Sequence, residues 1–327
     1  MKVDTPRVGI AFSGGPTPGE IVECVKLAER LGYESAWVAE GHGGDQFAVL
    51  AACAVQTSRI LLGTSITSVF VRTAPTIAMA AATLDELTGG RFILGVGSSH
   101  KVQVEAEHGM AYGKPLTRVR ETVEVIRRLL QEGRVSYQGE TVRIQSFDLW
   151  FTPRHSTIPI YASAVSQKMT ALCGEIADGI ILTRSTLATA AVVREQLAEG
   201  ARRAGRDLDQ IIVTTLLPAA VGETRREALD ALRPGLAFYA GFFPRYNRMM
   251  AEHGFVEEAA ASRRRMVTRR PGRIGRRSRV RSPDPPPFAP VAMHFGLGVP
   301  ESVPDCVERG THRRGNINRL GVEDDFR

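Results

Sequence analysis

The segment from Thr83 to Ser99 reads TLDELTGGRFILGVGSS, and it decides how the chain is expected to fold. A helix is predicted to end at the pair Gly89-Gly90, because glycine at this position stops a helix. The apolar run Phe92–Val96 then predicts a short buried strand, followed by a small, polar tip. In an α/β barrel such a tip lies at the carboxyl end of a strand, where ligands bind.

Strands and helices are predicted to alternate along the rest of the chain. Strands separated by helices of about 10 to 15 residues predict a parallel sheet with right-handed crossovers. Seven such units approach the eight of a TIM (β/α)8-type barrel, and a doubly wound sheet is the alternative. The predicted strands are Val8–Phe12, Ser35–Ala39, Ile60–Ile66, Phe92–Val96, Ile158–Ala162, Ile180–Leu182 and Ile211–Leu217.

Two segments interrupt this alternation. Gly133–Pro159 has few helix formers and predicts an insertion at about residues 133–158, with a hairpin on the ligand side. Ala237–Ala261 is predicted to be an irregular helical region. We expect the first segment and Ala237–Gly254 to shape the substrate pocket.

The net charge of +7 belongs to the end of the chain. Residues 262–327 contain 15 Arg, no Lys and 7 acidic residues, whereas residues 1–261 have a net charge of −1. The basic balance is therefore no sign that the whole protein binds nucleic acid. An RNA- or DNA-binding accessory acting through the tail remains one hypothesis, and it predicts a steep salt dependence.

The composition divides the chain at residue 261 into a barrel domain, residues 1–261, and an atypical tail, residues 262–327. Arg263–Arg281 is rich in Arg and Pro283–Pro290 is rich in Pro, and neither pattern supports a packed strand or helix. One explanation is a natural disordered arm. The other is a shift of reading frame near Ser262 that replaced the last barrel unit. The Arg-rich, Lys-poor body favours the second explanation, since it indicates a GC-rich gene.

The chain is expected to be a cytoplasmic protein without metal ligands. No run of about 18 apolar residues predicts a transmembrane helix, and the polar segment before the first strand does not resemble a secretory signal. The four cysteines are scattered and lack metal-ligand spacing, so we interpret them as buried free thiols in a reducing compartment. They are Cys24, Cys53, Cys173 and Cys306.

Several motifs together resemble one family over about residues 7–260. They are Ala36–Glu40, Thr57–Thr64, Arg72 with Pro75, Thr83–Asp85 with Gly90–Gly97, Pro115–Arg118 with Glu121, Ile158–Ala164, and Gly174–Gly179. The body resembles the luciferase-like monooxygenase superfamily of TIM-barrel oxidoreductases. Within it, the motifs are most similar to the branch that uses the deazaflavin coenzyme F420, including methylenetetrahydromethanopterin reductase-like enzymes. The family's usual last unit is not found in the sequence.

This resemblance implies a homodimeric oxidoreductase that moves hydride between F420 and a small organic substrate. An FMN-dependent monooxygenase of the same fold is the alternative within enzymes. The alternative that is not an enzyme is an inactive product of a damaged reading frame.

The resemblance also implies a catalytic pair, Glu40 and His42, just past the second strand. In the family such polar groups face the reactive ring of the cofactor, where a donor stabilises the charge of the reduced ring and a carboxyl group moves a proton. A solvated loop with a helix cap at Asp45 is the other interpretation.

Cofactor contacts are expected at four further strand ends. Ser65-Ile66 is the position where family members often carry a cis peptide bond behind the central ring. The turn Ser163-Ala164-Val165 precedes a helix N-terminus, which favours an anion. An ordinary trans strand end is the alternative for Ser65-Ile66, and ordinary capped turns are the alternative for the other three. The complete set of expected cofactor-binding residues is Ser65, Ile66, Gly97, Ser98, Ser99, Ser163, Ala164, Val165, Thr183 and Arg184.

Other polar residues have less specific expectations. The substrate mouth is expected to involve Arg72, His100, His108 and Tyr112, with loop packing an equal alternative for His108. Arg118 and Glu121, at helical i, i+3 spacing, are interpreted as a surface or interface pair.

Overall fold

A computed structural model describes residues 7–185, 189–268 and 291–297, and its main feature is a closed barrel. The strands in chain order are β1 (Arg7–Phe12), β2 (Ser35–Val38), β3 (Leu61–Thr64), β4 (Thr67–Ser68), β5 (Phe92–Gly97), β6 (Arg134–Gln138), β7 (Arg143–Asp148), β8 (Ile160–Ser163), β9 (Gly179–Thr183), β10 (Ile212–Ala219) and β11 (Val291–Leu297). Hydrogen-bonded neighbours run β1-β2-β3-β5-β8-β9-β10-β11, and β11 pairs back onto β1. The ring confirms the barrel and excludes the doubly wound sheet.

The closing strand runs against the other seven. β11 is antiparallel to β1, with Arg7 opposite Gly296, and antiparallel to β10, with Val213 opposite Leu297. The remaining neighbours in the ring are parallel. Among the described residues, therefore, a segment of the tail takes the place of the eighth parallel βα unit.

Helices cover the outside of the barrel. They are α1 (Pro18–Arg30), α2 (Gln46–Ala54), α3 (Ala74–Thr88), α4 (Lys101–Ala106), α5 (Pro115–Glu132), α6 (Gln167–Ile176), α7 (Ala190–Arg203), α8 (Arg225–Phe242), α9 (Pro244–Glu252) and α10 (Val256–Thr268). The apolar faces of α1 to α7 and the outward side chains of the strands form the main core. None of the described helices is long and apolar enough to cross a membrane.

The carboxyl-terminal helices differ from the prediction. The region Ala237–Ala261 is helical as predicted, but it consists of regular helices rather than irregular ones, and α8 begins well before Ala237. The α10 helix continues to Thr268, so it crosses the boundary predicted at residue 261 and includes part of the Arg-rich run. Packing explains the difference, because α10 lies against both α8 and α9. The rest of the tail, residues 269–290 and 298–327, lies outside the described residues.

Two large aromatic side chains fill the barrel interior. Trp37 and Tyr161 pack with Ala11, Ile93 and Ile181 in a small core separate from the outer one. Glycines on neighbouring strands leave the space for these rings, since a Cβ at Gly63 would lie 2.5 Å from the Trp37 ring and one at Gly179 would lie 2.8 Å from the Tyr161 ring. This layer is a packed floor, as expected for a barrel of this size.

The predicted hairpin exists, and its tip returns to the amino end of α5, where Glu140 pairs with Lys114 and the carbonyl oxygen of Thr141 lies 3.4 Å from Arg118 Nη1. β6 and β7 pair antiparallel after α5. The buried Glu121 of α5 accepts hydrogen bonds from the backbone amides of Glu140, Thr141 and Val142 at 2.7–2.8 Å. No residue of the segment 133–158 lines the cavity at the carboxyl ends of the strands, so the segment does not form a wall of the pocket, contrary to the expectation.

Arg118 and Glu121 are not a surface pair. Arg118 donates to the carbonyl oxygen of Val69 at 2.9 Å and lies over the Phe70 ring, whereas Glu121 is only 7% exposed and binds the hairpin. Both side chains connect α5 to segments that are distant in sequence.

The described cysteines are free thiols, as predicted. Cys53 and Cys173 are buried, and Cys24 is half-buried. Burial raises the pKa of the Cys53 thiol, and that of Cys173, to about 12, so both are protonated at neutral pH. Cys306 lies outside the described residues.

Candidate active site

A cavity of about 1650 Å³ opens at the carboxyl ends of the strands. The turns that follow β1, β2, β3, β5, β8 and β9 form its base, and α8 and α9 form one wall. Most of the predicted site residues meet in this cavity. Those that line it are Glu40, His42, Ser65, Ile66, Ser98, Ser99, Ser163, Val165, Thr183 and Arg184.

Gly97 and Ala164 do not line the cavity but lie directly behind its surface. A Cβ on Gly97 would lie 2.3 Å from Ser163 Oγ and 2.8 Å from Ile66 Cδ1. Ala164 is 5% exposed and belongs to the core. The absence of a side chain at Gly97 therefore lets the turns after β3 and β8 approach each other at the base.

The peptide bond between Ser65 and Ile66 is cis, as the resemblance implies. It lies between β3 and the short strand β4, and both of its residues line the cavity.

Glu40 is held by two donors. Its Oε2 accepts from the backbone amide of Ser68 at 2.8 Å, and its Oε1 accepts from Arg72 Nε at 2.5 Å. Arg72 also contacts Asp45, whose side chain caps α2 by accepting from Ala48 N at 2.9 Å. The cap at Asp45 is therefore present, and the polar cluster at Glu40 is present as well.

His42 lies at the rim of the cavity. Its side chain is 77% exposed, and its Nε2 lies 3.1 Å from Glu107 Oε2. Because Glu107 ends α4, this contact joins the loop after β2 to the segment after β5 across the mouth.

Of the residues expected at the substrate mouth, His100 and Tyr112 line the cavity. Arg72 instead lies behind Glu40, and His108 is not part of the lining. Burial raises the pKa of the Tyr112 phenol, an effect opposed by its hydrogen bond with Ser98, and the ring stacks on Phe70 at 4.5 Å.

The wall formed by α8 and α9 is rich in aromatic rings. His100 packs against Phe243, with ring centroids 4.3 Å apart, and against Tyr246 at 5.4 Å. Burial lowers the pKa of His100 to about 4, so its imidazole is neutral at pH 7. Asn247 fixes the wall, since its Nδ2 donates to the carbonyl oxygens of Ala240 and Ala259 at 2.7 and 2.6 Å.

The sequence predicted that Ala237–Gly254 shapes the pocket, but it did not identify the aromatic residues that form this wall. The run Phe238–Tyr246 reads FYAGFFPRY, and its density of aromatic side chains is the signal that was available. Burial raises the pKa of Tyr246 to about 12, and its hydroxyl is hydrogen-bonded to Thr183 at the end of β9.

Arg184 follows Thr183 and has a left-handed backbone conformation, with φ of 59°. Its guanidinium lies on the Tyr239 ring, with Cζ 3.9 Å from the ring centroid. Its backbone amide donates to Leu216 O at 3.2 Å, which fixes the residue against β10.

A closed, mostly parallel barrel with a polar and aromatic cavity at the carboxyl ends of its strands defines a barrel enzyme. The family model for luciferase-like monooxygenases matches residues 3–280. The chain belongs to this family, and the protein is therefore an oxidoreductase.

Individual relatives agree with this assignment. The chain is 32% identical over 254 residues to a 5,10-methylenetetrahydromethanopterin reductase of Archaeoglobus fulgidus, covering 77% of this chain and 75% of the relative. The structure of the coenzyme F420-dependent tetrahydromethanopterin reductase from Methanopyrus kandleri is similar with a TM-score of 0.69 and 30% identity, over 76% of each chain. An F420-dependent secondary alcohol dehydrogenase shares the fold, with a TM-score of 0.64 and 24% identity over 71% of this chain and 74% of that one.

Proposed function

We propose that the protein transfers hydride between coenzyme F420 and a small organic substrate. The observation that carries the proposal is the cavity at the strand ends, in which the polar turns after six strands meet. The names of the similar reductases support F420 over FMN as the cofactor.

The residues at the base of the cavity fit a flat ring. Because Gly97 has no side chain, Ser163 and Ile66 lie close together at the base of the cavity. The cis peptide bond between Ser65 and Ile66 lies in the same part of the base. We assign Ser65, Ile66 and Gly97–Ser99 to contacts with the ring system. Bound there, the deazaflavin would supply the carbon that accepts or donates hydride.

The turn Ser163–Val165 is assigned to the phosphate of the cofactor. It leads into α6, and the N-cap residue Ser166 makes no side-chain hydrogen bond to the helix, so the first amides of α6 lack a side-chain cap. Arg245 Nε donates to Val165 O at 2.6 Å and fixes the turn from the α9 side. Free helix amides and the helix dipole favour an anion at this position. Ala164 contributes through the backbone of the same turn. Thr183 and Arg184 are the remaining residues of the expected cofactor-binding set, and Thr183 is assigned to the cofactor.

Glu40 and His42 are assigned to the electron-rich edge of the ring. Both lie on the loop after β2, on the side of the cavity that holds Ser65. Each Glu40 oxygen accepts one hydrogen bond from the protein and keeps a second lone pair, at which the carboxylate could take up a substrate proton. The protein would hold the reacting carbons together and exclude water from them.

Titration of the purified full chain with F420 and with FMN, followed by calorimetry, tests the cofactor. We expect F420 to bind with a dissociation constant about tenfold or more below that of FMN. Tight FMN with no F420 binding would instead favour the flavin-dependent monooxygenase. Binding of neither cofactor would favour the inactive product of a damaged reading frame, and the same titration on a chain with a repaired carboxyl terminus is the control.

Two further expectations have simple tests. A homodimer is implied by the family resemblance and is measured by light scattering. Nucleic-acid binding through the tail predicts retention of RNA on a filter that falls steeply between two salt concentrations. Salt-independent or absent retention contradicts it.

A further inference from the structure

The half-buried side chain of Arg184 has one donor, Nε, without the hydrogen-bond partner that a buried donor normally has. Its Nε atom is buried and has no hydrogen-bond partner. Among the described residues no carboxylate forms an ion pair with it, and the acid nearest in the wall sequence, Glu252, pairs with Arg245 at 3.7 Å. Buried donors without partners are uncommon, and a guanidinium is costly to leave unpaired.

The backbone and the wall together hold this guanidinium in place. The left-handed conformation of Arg184 and its amide bond to Leu216 O set the direction of the side chain. The Tyr239 ring covers one face of the guanidinium at 3.9 Å. A guanidinium stacked on an aromatic ring still presents its edge, where its N–H groups bind a carboxylate or phosphate in pairs.

The surroundings of this edge are apolar and flat. Phe238 and Phe242 stack with ring centroids 5.2 Å apart, and Phe243 lies at 5.2 Å from Tyr239. All four rings line the cavity together with Arg184. Such a wall suits a flat organic body and offers few hydrogen bonds to it.

We propose that Arg184 and the aromatic wall of α8 and α9 recognise the substrate, which carries a carboxylate on a flat, apolar body. This inference rests on the proposed function, because it takes the turns after β3, β5 and β8 as the place of the cofactor. It moves Arg184 from the cofactor set to the substrate. The carboxylate pairs with the guanidinium edge, and the body of the substrate lies along the rings towards the base of the cavity.

Calorimetry with benzoate, and with benzamide as its neutral isostere, tests the proposal on the full chain. We expect benzoate to bind about tenfold tighter than benzamide, and inorganic phosphate to bind about tenfold weaker than benzoate since it lacks a ring. Arg184→Gln should remove the preference for benzoate, and Arg184→Lys should keep part of it. The matched control is Lys101→Gln, which removes a positive charge from the same cavity but leaves the aromatic wall untouched, and it should keep the preference.

Three results would overturn the proposal. They are equal binding of benzoate and benzamide to the wild type, an unchanged preference in Arg184→Gln, and a loss of F420 affinity of about tenfold in Arg184→Gln, which would return Arg184 to the cofactor. We expect the F420 affinity of this variant to stay within about threefold of the wild type. If the wild type binds no F420 but prefers benzoate through Arg184, the proposed function fails and the anion site stands. The melting temperature of each variant shows whether it is folded.

Discussion

The carboxylate of Glu40 is paired with Arg72, with Oε1 2.5 Å from Nε, inside the loop that was expected to carry the catalytic acid. The side chains are 14% and 23% exposed, so the pair is partly shielded from water. The same arginine reaches the cap residue Asp45. One cation therefore connects the candidate catalytic loop to the start of α2.

A double-mutant cycle measures this connection. We expect the double variant Glu40→Gln/Arg72→Gln to lose less unfolding free energy than the two single variants lose in sum. The difference, which is the coupling free energy, should be about 1–3 kcal/mol. The measurement is the free energy of unfolding in urea. Additive effects would show that the two side chains do not stabilise each other, and Lys26→Gln, which removes an exposed pairing with Glu23, is the control.

His100 predicts a pH dependence of stability. Burial disfavours the charged ring and lowers the pKa of His100 from its ordinary 6.5 to about 4 in the folded protein. The unfolded chain therefore binds a proton in this range that the folded chain does not, and the stability that is present above pH 6.5 is lost as the pH falls towards 4. The loss attributable to this group is about 2–3 kcal/mol.

The variant His100→Phe isolates this effect. A phenyl ring keeps the packing against Phe243 and Tyr246 but does not titrate. Unfolding free energies at neutral and acidic pH should fall less steeply for the variant than for the wild type. If the unfolding free energies of the variant and the wild type fall in parallel with pH, folding does not lower the pKa of His100.

Glu121 predicts a large effect far from the cavity. Removing its carboxylate in Glu121→Ala leaves the amides of residues 140–142 without their acceptor, at an expected cost of about 2–3 kcal/mol. Hydrogen exchange at these amides should rise, because the hairpin loses its connection to α5. Glu124→Ala, which removes one bond to Tyr137, is the matched control and should cost less. Slow exchange retained at residues 140–142 would contradict the assignment.

Gly97 tests the base of the cavity. In Gly97→Ala the new methyl group would overlap Ser163 Oγ and Ile66 Cδ1, so the turns after β3 and β8 must move apart. We expect the affinity for F420 to fall by about tenfold or more, as measured by calorimetry. Gly113→Ala is the control, since a Cβ there meets no atom within 4 Å. An unchanged affinity for F420 in Gly97→Ala would show that the cofactor ring does not bind at this base.

The parts of the fold that depend on local pattern were predictable. The strand Phe92–Gly97 and the helix that ends at Gly89 follow from one apolar run and one pair of glycines. The order of strands and helices then determined which turns share an edge, and most of the predicted site residues meet there as a consequence. The hairpin was predictable as an element, but its packing on Glu121 was not, because a buried acid and a surface acid have the same sequence pattern.

By itself, then, the sequence of this protein determined the alternation of strands and helices, the parallel α/β architecture and the edge at which the site residues lie. Each of these depends on residues close together in the chain, whose periodicity records which face is buried. Only the tertiary structure decided that β11 closes the ring in the opposite direction, that Glu40 pairs with Arg72, and that Arg184 lies on Tyr239. These are contacts between segments far apart in sequence, and they are selected by space and charge in the folded molecule, which local periodicity does not record.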